Sequence, residues 1–271
     1  VSEIGYSPKQ ILNWKEPLYD AFRLVAGPLD GHFKCETYLA HTGASDRKEN
    51  AMHYNLGKAE LDHIFLIVRD EAQARSMMDQ AGLRVNYSRV HPGQGTRNIC
   101  ACLDDVFIEL LWSDGSEVSQ ATMQVTLNDR CNGLGSPVGI SWRRKSPFDD
   151  SDGGTVPYFA PFLPAGVSIP VASQSLDLAL PFVFQTPGGT PPIERTDGLV
   201  GDRQSPELAT LGKCKLLVRD PKHIRDFLAP FEKIEVQEGA PTLRFELLRP
   251  GGSIGKVFSW ALSERVQPNG A

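Results

Sequence analysis

Long apolar runs are missing from this 271-residue chain. None approaches the roughly 20 residues that a membrane-spanning helix needs. Positive charge is not in excess: the formal net charge is -5, which leaves no basic footprint for nucleic acid or for an anionic membrane surface. Cysteine is scarce, with five residues at positions 35, 100, 102, 131 and 214. That odd number, without the paired spacing of a zinc finger, argues against a disulfide framework or a structural zinc site. The opening Val1-Ser2-Glu3-Ile4 lacks the features of a signal peptide. These absences lead us to expect a reduced, cytoplasmic protein without nucleic-acid or membrane partners. What remains is ordinary for a globular chain, 41% hydrophobic and 23% charged, and long enough to bury a sizeable core.

Residues 1–58 read differently from the rest. Ser7 and Pro8 suit the start of a helix, and Ile11, Trp14, Leu18 and Phe22 follow at helical spacing. The stretch 31–57 is polar and aperiodic, and His32, His41 and His53 in it read as surface residues. We take 1–58 as a wrapping extension, dispensable for the site.

From Glu60 the periodicity is clear. Strand 61–68 leads into a helix from Asp70, with Ala74, Met77, Met78 and Ala81 as its apolar stripe and Gly82 as its stop. Strands 83–91, 96–103 and 106–112 follow, the last two joined at Asp104-Asp105. Cys100 and Cys102 alternate on one strand face as small core residues. The pattern Leu-x-x-x-x-Leu-x-Val-Arg-Asp of Leu61–Asp70 returns at Leu211–Asp220, again followed by a helix (223–230) and three strands (234–237, 242–248, 256–263). Such a recurrence signals pseudo-symmetry. The expected divisions are an extension (1–58), a first βαβββ module (59–118), an elaborated connection with a Pro/Gly-rich tract (119–206), and a second, degenerate βαβββ module (207–271).

Two residues carry the chemical argument. His63 sits within Leu61-Asp62-His63-Ile64-Phe65-Leu66-Ile67-Val68, and Glu109 within Phe107-Ile108-Glu109-Leu110-Leu111. An imidazole or carboxylate set in a strand this apolar costs free energy unless it is paired or bound. Between them lies His91-Pro92-Gly93-Gln94-Gly95-Thr96-Arg97-Asn98, rich in polar groups and glycine. Thr96 and Asn98 share a strand face, whereas Arg97 points the other way. Gly139-Ile140-Ser141-Trp142-Arg143 reads as a further strand, with Trp142 and Arg143 as candidate cavity residues and Tyr158 beyond them.

The order of these segments, Asp62-His63, then the His91–Asn98 loop and strand, then Phe107–Leu111, resembles the glyoxalase-like domains of the vicinal oxygen chelate superfamily. The likeness is good over 59–115, weaker over 137–171, and faint over 207–271. It implies an α+β fold of paired βαβββ modules forming an open curled-sheet barrel around a cavity. It also implies a His on the first strand and a Glu on the fourth of a module that bind a divalent ion, with further ligands from the partner module. His63 and Glu109 match those positions. In the repeat, His63 falls opposite Lys213. Glu246 either stands opposite Glu109 or lies on the third strand, which puts Ser259 or Trp260 in that place.

The metal set implied is His63, Glu109 and Glu246, or His63, Glu109 and His91 as a facial triad; the ion would be zinc, nickel, manganese or iron. A metal-free pocket is the alternative. Glu109 and His91 are the expected catalytic residues, and Thr96, Asn98, Trp142 and Arg143 the substrate contacts. The expected function is lyase or isomerase chemistry on a small oxygenated molecule through an enolate or oxyanion, the protein being a monomer or homodimer. Ring-cleaving oxygenation on iron, or sequestration of a small molecule without catalysis, are the competing readings.

Overall fold

The computed structural model describes residues 58–148, 154–196, 200 and 203–262. The chain divides into two units after residue 55, and all described residues belong to the second. The expected helix with Ile11, Trp14, Leu18 and Phe22, and His32, His41 and His53, lie outside the described residues.

The first strand, β1 (Glu60–Ile67), is buried along nearly its whole length. Helix α1 (Glu71–Gln80) follows. The Asp70 carboxylate caps it by accepting from the Gln73 amide at 2.8 Å, which satisfies one of the otherwise unpaired first-turn donors. Gly82, at φ +59°, ends it in the left-handed conformation that costs glycine least. Then come β2 (Tyr87–His91), β3 (Thr96–Cys102) and β4 (Phe107–Ser113), so the expected strand–helix–strand–strand–strand order holds here.

After two short helices, α2 (Gln120–Gln124) and α3 (Leu127–Cys131), the chain forms β5 (Val138–Arg143), β6 (Thr155–Tyr158), β7 (Ile169–Ala172) and β8 (Phe182–Gln185). One open eight-stranded sheet results, in the order β2-β3-β4-β1-β5-β8-β7-β6. At its centre β1 and β5 pair antiparallel. Outward on each side lie a parallel neighbour (β4 on β1, β8 on β5) and then two antiparallel ones. This is a two-fold pattern.

The partner of the first module is therefore residues 138–185, and not 207–271 as the sequence recurrence implied. Proline and brevity disguise it: β6, β7 and β8 have four residues each, and Pro157 faces Pro170 across the outer pair. Proline removes a ladder donor and suits edges, so this tract reads as irregular while folding as strands.

The final segment does have the expected elements: β9 (Thr210–Val218), α4 (Lys222–Leu228), β10 (Ile234–Glu238), β11 (Thr242–Leu248) and β12 (Ile254–Ala261). They make a separate four-stranded sheet, β10-β9-β11-β12. In the first sheet β1 lies between β4 and β5, whereas β9 lies between β10 and β11. Burial explains the difference. β1 is apolar on both faces and needs cover on both, while β9 alternates and has one face to bury. That face, with Leu211, Cys214, Leu216, Phe245 and Trp260, shares one apolar cluster with Ile64, Leu66, Met78, Ile108 and Leu110 from the outer side of the large sheet and its helix.

The inner side of the large sheet carries a second cluster: Phe65, Ile67, Leu111, Tyr158, Val171 and Phe182, covered by Val125 and Leu127 near the short helices. Arg130 on α3 fixes that cover. Fully buried, it donates to the carbonyls of Ser136 (3.1 Å), Leu180 (2.8 Å), Ser175 (2.7 Å) and Asp177 (3.0 Å). Burial pulls its guanidinium down to about 10. Among the described residues no helix is long and apolar enough to cross a membrane.

Candidate functional site

The inner face of the large sheet holds a polar group amid aromatic residues. Regular alternation would place Asp62 on the outer face, but β1 is irregular between Leu61 and His63. An extra residue at that point lets Asp62 and His63 act side by side. His63 Nδ1 lies 2.8 Å from Asp62 Oδ2. An ionised carboxylate only accepts, so Nδ1 carries the proton and Nε2 is turned toward Glu109. His63 Nε2 and Glu109 Oε2 are 3.4 Å apart. Asn98 on β3 donates from Nδ2 to Glu109 Oε1 at 2.7 Å. The imidazole stacks on Phe107, with centroids 5.1 Å apart, and meets the edge of Phe184 at 5.3 Å. His63 and Glu109 are only 6% and 7% exposed, so their interaction is little screened by water.

Asp62 is fully buried and held from behind. Thr186 donates to its Oδ2 at 2.8 Å, Ser141 hydrogen-bonds Thr186, and Arg143 Nε stands 3.1 Å from Oδ1, an ion pair whose angle falls short of a hydrogen bond. Burial alone would raise the Asp62 pKa. The His63 hydrogen bond, the His63 and Arg143 charges and the Thr186 hydrogen bond outweigh it and keep the pKa below the usual carboxylate value. Nothing in the sequence singled out Asp62 as a working residue, because an Asp at a strand start is commonplace; only the irregularity in β1 turns it inward.

A second polar chain runs beside the first. His91 Nδ1 is 3.0 Å from Thr96 Oγ1, Gln94 donates to that hydroxyl at 2.7 Å, Tyr158 donates to Gln94 Oε1 at 3.0 Å, and Thr122 bonds the Tyr158 hydroxyl at 2.8 Å. Burial, with help from the Arg89 charge, pushes His91 down to about 3, so it stays neutral at ordinary pH. Burial likewise pushes Tyr158 up to about 12.

The structure brings together His63, Glu109 and Asn98, with Thr96 and His91 in the neighbouring chain. It separates three other residues of the expected site. Trp142 is fully buried on the outer side, against Phe148, because it alternates with Ser141 on β5; it does not line the inner face. Arg143, 1% exposed, holds Asp62 and donates to the Leu61 and Asp105 carbonyls, so it braces the site from beneath. Glu246 lies on β11, on the other sheet, 3.7 Å from Lys215. Its neighbours Phe245 and Leu247 turn into the core, which leaves Glu246 on the opposite face.

A divalent ion of the kind the family resemblance implies would need ligands from both modules. Among the described residues, the partner module offers Gly139, Ser141 and Arg143 from β5 and Phe182 and Phe184 from β8 to the inner face, with neither imidazole nor carboxylate on those two strands. Among the described residues, His63 Nε2 and Glu109 Oε2 are two suitable donors that face each other. Among the described residues no group of three or more His, Cys, Asp or Glu is placed to hold a metal. Asn98 already engages one oxygen of Glu109.

Residues 61–152 match the family model described as a glyoxalase-like domain. No curated protein sequence matches the chain. Solved structures with a similar arrangement include a methylmalonyl-CoA epimerase in complex with methylmalonyl-CoA and ammonium, 16% identical, covering 48% of this chain and 94% of that one at a TM-score of 0.32. The methylmalonyl-CoA epimerase of Mycobacterium tuberculosis is 15% identical, over 48% of this chain and 88% of that one, at 0.32. A mutant of 4-hydroxymandelate synthase from Streptomyces coelicolor is 14% identical, over 75% of this chain and 62% of that one, at 0.40. Residues 61–152, about a third of the chain, are thus similar to a glyoxalase-like domain.

Proposed function

We propose that the protein is a glyoxalase-like enzyme that moves a proton at a carbon beside a carbonyl of a small oxygenated molecule, an isomerase or lyase reaction run by Glu109 and His63. The observation that carries this reading is the line Asp62–His63–Glu109–Asn98 on one buried face: a carboxylate 3.4 Å from an imidazole whose other nitrogen is fixed. Glu109 takes the proton from carbon. Its carboxylate is positioned by Asn98, which occupies Oε1 and leaves Oε2 beside the His63 imidazole.

His63, its Nδ1 proton committed to Asp62, presents Nε2 toward the substrate oxygen. When it carries a proton there, it gives that proton to the oxygen as Glu109 takes one from carbon, which leaves an enediol. Glu109 then returns its proton to the adjacent carbon while His63 takes one from the hydroxyl of the first carbon, which completes the isomerisation. Return to the first carbon gives exchange alone. Asp62 stabilises the imidazolium while it exists and sets its orientation. Phe107 and Phe184 exclude water, which strengthens each of these electrostatic contacts.

The test is solvent deuterium incorporation, followed by NMR, across a panel of small 2-oxo and 2-hydroxy carbonyl compounds. The parent protein is expected to exchange a carbon-bound hydrogen in at least one class, and Glu109→Gln is expected to abolish it. Tight binding of a compound with no exchange in any of them would turn the assignment to sequestration.

A further inference from the structure

Beside the acid–base pair lie two features whose capacity proton transfer does not use up. The first is Asn98. Its Nδ2 is spent on Glu109, but its Oδ1, although the residue is only 5% exposed, has no hydrogen-bond partner. A buried acceptor left unmade costs about 1–3 kcal/mol. The amide cannot simply be turned over, because that would set two oxygens against each other at Glu109. Oδ1 therefore offers a place for an O–H or N–H donor from outside the chain.

The second feature is Arg89. In the register of β2 and β3 it is the direct cross-strand partner of Asn98, so both side chains leave the sheet on the same face at neighbouring points. Its guanidinium lies over the Phe162 ring, 4.8 Å from the centroid, and that ring is in turn 5.3 Å from His91. Burial lowers the Arg89 pKa; Tyr87 and Glu109 act to raise it, and the nearby Arg195 charge lowers it further. A guanidinium seated over Phe162 on the strand beside Asn98 is a planar donor fork suited to a carboxylate.

We infer that the site takes a small 2-hydroxy acid, with the carboxylate held by Arg89 and the hydroxyl donating to Asn98 Oδ1. This rests on the reading of the site given under Proposed function and names its substrate class. The cross-strand pairing sets the anion and hydroxyl contacts side by side, which matches groups on adjacent carbons. It also places the hydrogen-bearing carbon between them and next to Glu109. Phe107, Phe162 and Phe184 favour a side chain that is apolar rather than a second charge.

The test is calorimetric binding to the full chain with 3-phenyllactate and lactate as probes. 3-Phenyllactamide lacks the charge and 3-phenylpropionate lacks the hydroxyl. Phenyllactate is expected to bind at least about tenfold tighter than either analogue, the loss typical of one charge-assisted or one well-made hydrogen bond. Arg89→Gln should bring acid and amide to nearly equal affinity, and Asn98→Ala should do the same for the hydroxy and deoxy acids. Each variant is checked for folding by circular dichroism, and because each readout is a ratio between two probes, a modest stability loss does not imitate the effect.

Equal binding of acid and amide by the folded parent, or no binding of any 2-hydroxy acid at millimolar concentration, overturns the inference. So does acid–amide discrimination that survives Arg89→Gln. Binding with the expected ratios but without deuterium exchange would overturn the proton-transfer reading alone. Exchange confined to neutral carbonyl compounds would overturn the substrate class alone.

Discussion

Asp62 Oδ2 and His63 Nδ1, on adjacent residues, lie 2.8 Å apart on one side of the sheet, although successive strand residues ordinarily point to opposite sides. The irregularity in β1 between Leu61 and His63 allows it. Neighbouring residues thus become an acid–base support unit, with Arg143 and Thr186 holding the carboxylate from below.

Removing the Asp62 charge should separate catalysis from stability. Asp62→Asn keeps the shape but no longer fixes the Nδ1 proton, and activity should fall about 10–100-fold. Asp62→Ala additionally strands the buried Arg143 charge and should cost about 3–5 kcal/mol in urea denaturation. Because the folded pKa of Asp62 is lowered, the stability it contributes is complete above the unfolded value near 3.8 and is lost as the pH falls below it.

Glu109→Gln should leave the melting temperature close to the parent's, since glutamine still accepts from Asn98 Nδ2. The proton-transfer rate should drop by about 10²–10⁴-fold. Deuterium exchange on a responsive substrate measures it, and a variant within threefold of the parent would remove Glu109 from the mechanism.

His91 predicts an acid sensitivity of its own. Its folded pKa is about 3, below the unfolded value near 6.5. As pH falls, the unfolded chain takes up the proton first, so stability is complete above pH 6.5 and erodes down to about pH 3. By pH 5 the loss from this residue should be on the order of 2 kcal/mol. His91→Gln should flatten the stability curve between pH 7 and 5, as read by chemical denaturation at each pH.

Gly139 lies opposite Phe65 at the junction of the two modules. A Cβ there would overlap the Phe65 ring, which is itself packed among Phe182 and Phe184. Gly139→Ala should destabilise by about 1–3 kcal/mol and disturb the inner face. Gly139→Ala combined with Phe65→Leu should recover part of that loss, since the smaller side chain vacates the space.

Arg130→Met should cost about 3 kcal/mol or more, because four carbonyls lose a charged donor at once. Arg130→Lys should be little better, as an ammonium lacks the planar fork that spans them. Thermal unfolding measures both, and near-parental stability in the lysine variant would show that the fork geometry is unimportant.

The sequence by itself determined the first module and its two most telling residues. Strands as apolar as Ile64–Val68 and Phe107–Trp112 must be buried on both faces, and the polar exceptions within them, His63 and Glu109, must therefore meet a partner. Helix α1 was equally legible, because its cap at Asp70 and its stop at Gly82 are local signals. Tertiary structure decided what local signals cannot carry. The second half of the large sheet is built from four-residue strands rich in proline, whose pairing depends on β1 having an exposed edge for β5 to fill. The similar-looking segment from Leu211 went elsewhere, since its strand has one apolar face and β1 has two. The same holds within the site. Asp62 faces inward because of an irregularity in one strand, Trp142 faces outward because of the phase of another, and Glu246 ends on a different sheet. Which polar residues meet is set by register and sheet assignment, and these are decided only when the strands are laid side by side.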